Sequence, residues 1–271
     1  MTSMYGSKRQ PRRVFGEGEG LEAFYQTMQE ELPGAWALNE ALRELWQPNA
    51  LSHDWVLPDN FHVHVNVMSP VAHPIVVNGQ KMSVTTYENL GTETGLSLGA
   101  NVVHSIDGLV VREMARRCSY DAEKIGYLRE ILDEIDRTGT YSTSGELSRN
   151  HDLVETLWKH YRETGFLSAR ILEVLDTENL ALVLNDLPAI QSLLDTLPAK
   201  PFPVLAIHDA FACHPNYGND VRRQYNRILH DIGASEMLAS VVSDIAGQPT
   251  QVHKYGGNLA THVLESNYSL S

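Results

Sequence analysis

The residues best placed to do chemistry lie in the run Val204-Leu205-Ala206-Ile207-His208-Asp209-Ala210-Phe211-Ala212-Cys213-His214. An apolar stretch too short for a buried helix is broken by an adjacent His and Asp, then resumes with small and aromatic residues. That pattern predicts two buried strands meeting at a polar tip, with Asp209 on the tip. A carboxylate between two apolar runs is costly to desolvate unless something positive sits beside it, and a divalent cation commonly meets that need. The bland alternative is a turn aspartate that bonds its own backbone. A rival constellation lies in Phe61-His62-Val63-His64-Val65-Asn66-Val67. Its strict alternation predicts a strand with valines on one face and His62, His64 and Asn66 on the other. Two histidines at i and i+2 could share a metal, although a catalytic zinc takes three protein ligands and no third lies at an obvious spacing. The alternative there is a solvated polar face on a half-buried strand.

The elements that must position these residues come from a chain of 271 residues, 42% apolar, enough for one large domain or two small ones around a real core. Two cysteines, Cys118 and Cys213, are too few for a disulfide framework, and no secretory leader is visible at the N-terminus. A reducing, cytoplasmic setting is expected. The longest apolar runs, such as 180–184 and 202–207, fall far short of a bilayer span, so no membrane is expected. A net charge of −13 argues against nucleic-acid binding by the body as a whole. The charge is uneven, however. Residues 121–200 hold 15 acidic and 8 basic side chains, whereas Lys8, Arg9, Arg12 and Arg13 cluster near the start.

Met1 to Ser7 looks like the end of a helix stopped by Gly6, followed by a basic, glycine-rich loop through Gly20. A helix follows from Leu21 to Leu32, closed by Pro33-Gly34, and a second from Ala35 to Trp46. Asn78-Gly79 between two strand-like runs predicts a hairpin turn. Residues 101–108 form a polar cluster on an apolar segment, with helical character from Leu109; on its own, His104 reads as a satisfied core or cap histidine. Residues 121–200 are helical in pattern, with breaks expected at Gly145, Gly165 and Pro188, and read as a scaffold or docking module. Past the tip, Asn219 or Asp220 is placed to cap a helix that turns Val221, Tyr225, Ile228, Leu229 and Ile232 inward and ends at Gly233. Arg222, Arg223 and Arg227 lie off that stripe. One more helix is expected over Ser235 to Ile245.

Together these segments resemble the carboxy-terminal part of the phage-type single-subunit RNA polymerases, a family that includes the mitochondrial enzyme. Met1-Thr2-x-x-Tyr5-Gly6 resembles the end of motif B on the fingers helix. Trp55-Val56-x-Pro58-Asp59-x-Phe61 resembles the stretch before the promoter-recognition region. Asn101-x-Val103-His104-Ser105-x-Asp107-Gly108 is similar to the segment leading back into the palm, and His208-Asp209-x-Phe211 to motif C. His214 matches the histidine that follows motif C in mitochondrial members, and Leu264-Glu265-Ser266 is similar to the C-terminal foot. The resemblance covers most of the chain outside residues 121–200 and keeps the family's order.

The resemblance implies an α+β, mainly helical fold: the fingers and palm portion of a right-hand polymerase with a helical insertion. Residues 1–103 would be the fingers part with a shortened promoter loop, 104–120 the return into the palm, 121–200 the acidic insertion, and 201–271 the palm with motif C and the foot. It implies a two-metal nucleotidyl transferase in which Asp209 holds Mg²⁺ and His208 flanks it. Tyr5 and Gly6 would sit against the incoming ribonucleotide, with Tyr5 near its ribose. His104 would face nucleic acid beside the active centre, and Lys8, Arg9, Arg12 and Arg13 would track a phosphate backbone, the latter on charge alone. Motif A and most of motif B have no counterpart after residue 1. The expectation is therefore the smaller subunit of a split, heterodimeric phage polymerase, acting in the host bacterial cytoplasm. Two Mg²⁺ ions would be shared with a second chain, and the partners would be that chain, template DNA, the RNA transcript and ribonucleoside triphosphates. The short promoter loop leaves room for an accessory DNA-binding factor. The competing expectations are a non-catalytic docking subunit built on residues 121–200 and a stand-alone metallohydrolase using His62 and His64.

Overall fold

The structure is a computed structural model that describes residues 8–47, 49–91, 97–208 and 210–267. The chain is of the α+β class and mainly helical, 57% helix against 15% strand. Its described strands form three separate two-stranded sheets. The chain divides into two compact units: Met1–Trp55 with His62–Ser105 and Val242–Tyr255, and Val56–Phe61 with Ile106–Val241 and Gly256–Ser271.

The first unit opens on α1 (Arg9–Phe15), where the glycine-rich sequence predicted a loop. Pro11 sits in the first turn, where a missing N–H costs nothing, and Gly16, at φ 73°, supplies the left-handed end that stops the helix. All four basic residues of this segment are exposed on or beside that helix. The predicted helix end over Met1 to Ser7, with its stop at Gly6, lies outside the described residues. Next come α2 (Glu19–Glu31) and α3 (Pro33–Glu44). α2 ends just before Pro33, as expected, and Pro33 also opens α3, because its fixed φ suits a first helical turn. An aromatic series joins the three helices: Phe15 stacks on Phe24 at 4.9 Å, and Tyr25 meets Trp36 edge-on at 5.8 Å. Gly34 is needed where it stands, since a Cβ there would lie 3.3 Å from the Tyr255 ring.

Strands β1 (Ser52–Leu57) and β2 (Phe61–Asn66) form a hairpin across Pro58-Asp59-Asn60, with Asn60 left-handed at φ 56°. Proline at the second turn position and Asn in the left-handed one are the residues such a three-residue connection favours. β3 (Met68–Val77) and β4 (Gln80–Asn89) pair antiparallel with Val77 opposite Gln80. Asn78 and Gly79 both have positive φ, 52° and 80°, as the Asn-Gly signal requires. This ribbon is exposed on both faces along most of its length.

Helix α4 (Leu98–Cys118) carries the Asn101 to Gly108 stretch and continues past it, so the helix starts at Leu98, well before the periodicity at Leu109 makes it visible. In the second unit, α5 (Ala122–Thr138) is capped by Asp121, whose carboxylate accepts from the backbone N–H groups of Glu123 and Lys124. It ends at Gly139, a left-handed stop at φ 72°. Gly145 lies in a non-helical stretch from 139 to 148, and α6 (His151–Thr164) ends at Gly165 as expected. After α7 (Arg170–Val174) and a 3₁₀ segment over Leu180–Asp186, the expected break falls at Asp186, and Pro188 lies in the first turn of the next helix, α8 (Leu187–Thr196). Ile125, Leu128, Ile131 and Leu132 of α5 close over Val154, Leu157 and Trp158 of α6 and Ile190, Leu193 and Leu194 of α8. Residues 121–200 thus have a core of their own.

The chain then forms β5 (Leu205–Ile207) and β6 (Ala210–Ala212), followed by α9 (Gly218–Ala234), α10 (Met237–Ala246) and α11 (Leu259–Glu265). A second core cluster joins Val110, Met114 and Cys118 of α4 to Phe202 and to Val221 and Ile228 of α9, with Phe211, Tyr225, Leu229 and Ile232 packed against it. The predicted inward stripe of α9 is the observed one. Its cap differs: Tyr217 precedes the helix, and Asn219 and Asp220 fall in the first turn. Gly233 lies inside the helix, where a Cβ would come within 3.7 Å of Ala260. Among the described residues no helix is long and apolar enough to cross a membrane.

Candidate functional site

The sequence's strongest chemical signal falls on the β5–β6 hairpin. Leu205 pairs with Ala212, Ala206 with Phe211 and Ile207 with Ala210, so only His208 and Asp209 connect the strands. His208 is exposed and takes φ 57°, the left-handed conformation a two-residue hairpin turn demands. Asp209 itself lies outside the described residues, as do Tyr5 and Gly6. The expectation of two buried strands needs correction. Leu205 and Ile207 are 61% and 60% exposed. With a period of two, Ala206 and Phe211 share one face and Leu205 and Ile207 the other.

The hairpin is held from its root. Phe202 donates its N–H to the Cys118 carbonyl at 2.7 Å, and Ser119 Oγ donates to the Phe202 carbonyl at 3.0 Å, tying the entering chain to the end of α4. Phe202 stacks on Tyr217 at 4.3 Å, and Phe211 meets Tyr225 of α9 edge-on at 5.9 Å. His214 accepts at Nδ1 from the Asn216 N–H at 3.3 Å, capping the short turn before α9. Cys118 is buried, which pushes its thiol up to about 12, so it packs as an apolar group and not as a nucleophile.

The stretch before the β3–β4 ribbon that resembles the family attaches to α4, and α4 itself carries the stretch after the ribbon. In the first unit Trp55 Nε1 donates to Ser105 Oγ at 3.0 Å, and Ser105 in turn donates to the Val102 carbonyl. In the second unit Asp59, with no exposed surface, accepts from Arg112 at 2.6 and 3.1 Å and from Arg116 at 2.9 Å. Arg112 also lies over the Phe61 ring at 4.0 Å. Burial pushes the Asp59 carboxyl up, but the two guanidinium groups outweigh it and hold its pKa below the ordinary aspartate value. Glu113 continues the network: it accepts from Arg116 at 3.1 Å, from Arg117 at 3.3 Å, from the Ala169 N–H at 2.9 Å and from Ser168 Oγ. Arg117 reaches Asp231 of α9 at 3.2 Å, and Arg170 donates to the Asp59 carbonyl at 2.6 Å. Positions 112, 113, 116 and 117 recur at helical spacing, and that was the available signal for this network; a charged quartet on an apolar helix looks solvated until its partners are known.

The remaining predicted residues are placed as follows. His104 is exposed on α4 in the first unit, so it is not a core histidine. His62 is exposed on β2. His64 has both ring nitrogens engaged, Nδ1 with Asp54 and Nε2 with Asn66 Oδ1 at 2.9 Å. The hydrogen bond to Asp54 raises its pKa, which favours the imidazolium, a form that cannot ligate metal. Among the described residues no three His, Cys, Asp or Glu side chains are grouped to hold a metal ion. Lys8 and Arg12 line one cavity together with Tyr25 and Trp36.

No protein-family model matches the chain, and comparison with curated proteins finds no relative.

Proposed function

We propose that this chain is one subunit of a DNA-dependent RNA polymerase of the phage-type single-subunit family, completed by a second chain that carries motif A and most of motif B. The observation that carries this reading is the β5–β6 register, which leaves His208-Asp209 as the whole connection of a hairpin rooted on α4 and α9. The paired strands fix the backbone at Ile207 and Ala210, on both sides of the stretch that resembles motif C, and a metal-holding group needs such a rigid support. In this reading the chain supplies the fingers and palm portion of a right-hand fold, and Tyr5, Gly6 and His104 face nucleotide and nucleic acid. Further support comes from the Trp55–Ser105 contact, which joins two stretches that resemble the family separately.

Carboxylate oxygen is the donor type Mg²⁺ prefers, and such ions take their remaining ligands from water and phosphate. Asp209 would hold the ions with an aspartate of the partner; when bound they stabilise the attacking and leaving oxygens of phosphoryl transfer. The part of this chain is to fix the carboxylate, and His208 beside it.

RNA synthesis from a primed or single-stranded template, with Mg²⁺ and four ribonucleotides, tests the proposal. Activity is expected only when this chain is purified together with a second chain, and is expected to fall to background for Asp209→Ala while the two chains still co-purify. An inactive pair, or a pair that retains activity with Asp209→Ala, would overturn it.

A further inference from the structure

We propose that β4 is the contact edge between two copies of this chain, whose ribbons pair antiparallel, β4 against β4, into a four-stranded sheet about a two-fold axis. The ribbon as it stands is a two-stranded sheet, which is marginal in water without further strands or a packed face. Among the described residues it has neither along most of its length: Ile75, Val77, Met82 and Val84 share one face and all are exposed. Its two edges differ. Pro70 and Pro74 have no N–H, so in an unbroken ladder both sit where that N–H would point away from β4. The outer edge of β3 is thus short of two donors, which closes it to further pairing. The same alternation turns the N–H and C=O groups of Lys81, Ser83, Thr85 and Tyr87 outward on β4, where no proline interrupts them.

Three properties point to a second copy as the occupant of that edge. First, β4 is complementary to itself. Placing Val84 opposite Val84 of the second copy pairs the strand from Gln80 to Glu88; Met82 then meets Thr86 on one face, while Lys81 meets the Tyr87 ring and Ser83 meets Thr85 on the other. Second, the charges fit. Two copies of a chain with net charge −13 repel over most of their surface, but the charged residues of β4 are Lys81 and Glu88, which oppose Tyr87 and Gln80, so no like charges meet. Third, the proline-blocked edges of the two β3 strands stop the sheet at four strands, so the contact closes as a dimer and does not propagate as a fibre. A phosphate backbone fits this ribbon poorly. Between Met68 and Asn89 the basic residues are Lys81 and His73, and His73 is engaged by Glu88 at 3.4 Å and Thr86 at 2.7 Å.

Sedimentation equilibrium of the full chain at micromolar concentration tests the pairing. A dimer is expected for the chain and for Ala72→Lys, which alters only the blocked edge of β3. Val84→Lys sets two ammonium groups face to face on the two-fold axis and should weaken the dimer about tenfold or more. Val84 is 47% exposed, so its replacement should leave the helical circular dichroism unchanged. Cysteines report the register. In a Cys213→Ser background under air oxidation, Val84→Cys should form a disulfide with its counterpart, since directly opposite residues of a non-hydrogen-bonded pair stand closest. Lys81→Cys, which faces Tyr87 of the second copy, should not. A chain that is monomeric at this concentration, a Val84→Lys dimer as strong as the parent's, or equal cross-linking of the two cysteines overturns the proposal. Cross-linking of Val84→Cys to a different co-purifying protein and not to itself assigns the edge to another strand and overturns the pairing of copies. None of these readouts involves RNA synthesis, so the dimer and the polymerase proposal can fail separately.

Discussion

Asp59 carries a large single-residue consequence. It is fully buried against two arginines, and removing one member of such a network leaves the others buried without their counter-charge. Asp59→Asn keeps the shape and removes the charge, and should lower unfolding free energy by about 3–5 kcal/mol, measured by urea denaturation. Asp54→Asn, which breaks only the exposed pair with His64, should leave the midpoint where it was. Because the folded pKa of Asp59 is depressed, its stabilisation is present above the ordinary aspartate range and is lost as pH falls through the folded value. Glu178 gives the sharper titration. It accepts from Thr143 Oγ1 and from the backbone N–H groups of Ser144 and Gly145, which hold its pKa down to about 2. Side-chain NMR should show it ionised down to about pH 2, and Thr143→Val should move its midpoint upward toward the usual glutamate range. At this scale the sequence was legible where one residue type has one use, as with Asn78-Gly79. It was opaque for Asp59, whose arginines lie 53 and 57 residues away, and for the burial of Glu113, whose partners Ser168 and Ala169 lie 55 and 56 residues away; only the fold brings these together.

Among the elements, periodicity revealed the helices and Gly or Pro marked their ends, but a proline's sign was ambiguous. Pro33 and Pro188 both mark breaks, as expected, and both also open the next helix, because a proline that cannot continue a helix interior suits a first turn. The β5–β6 hairpin was legible as a tip but not in its burial, since a three-residue strand turns half its side chains outward whatever their polarity. Two changes test the local devices directly. Asp121→Ala removes the cap of α5 and should cost about 1 kcal/mol in chemical denaturation. Gly79→Val places a β-branched residue at φ 80° in the β3–β4 turn. It should loosen the ribbon without unfolding the rest, seen as faster hydrogen exchange of the paired Ile75 and Met82 amides while α5 and α6 remain protected.

For the whole molecule, the question is whether residues 121–200 are an accessory module or part of the frame that carries the hairpin. Their sequence reads as an acidic block without reactive residues, and their own apolar core would let them stand as an appendage. The polar contacts argue otherwise. Ser168 and the Ala169 N–H satisfy buried Glu113 on α4, Arg170 grips the Asp59 carbonyl, and Gln224 of α9 donates to the Thr196 carbonyl. Tyr120 and Arg129 bond the carbonyls of Pro198 and Leu194 at 2.6 and 3.0 Å, closing the segment onto itself at its two ends. Replacing 121–200 by a short flexible linker would therefore leave Glu113 and Arg117 in a half-satisfied buried network, which is worse than an apolar one. A removable docking module would leave a chain with a cooperative thermal transition and intact helical signal. An integral one should give a chain that aggregates or melts without cooperativity, as followed by circular dichroism and size-exclusion chromatography. The expected result is the second, and replacing Glu113 by Leu and Arg117 by Met in the shortened chain should recover part of the transition by removing the stranded charges.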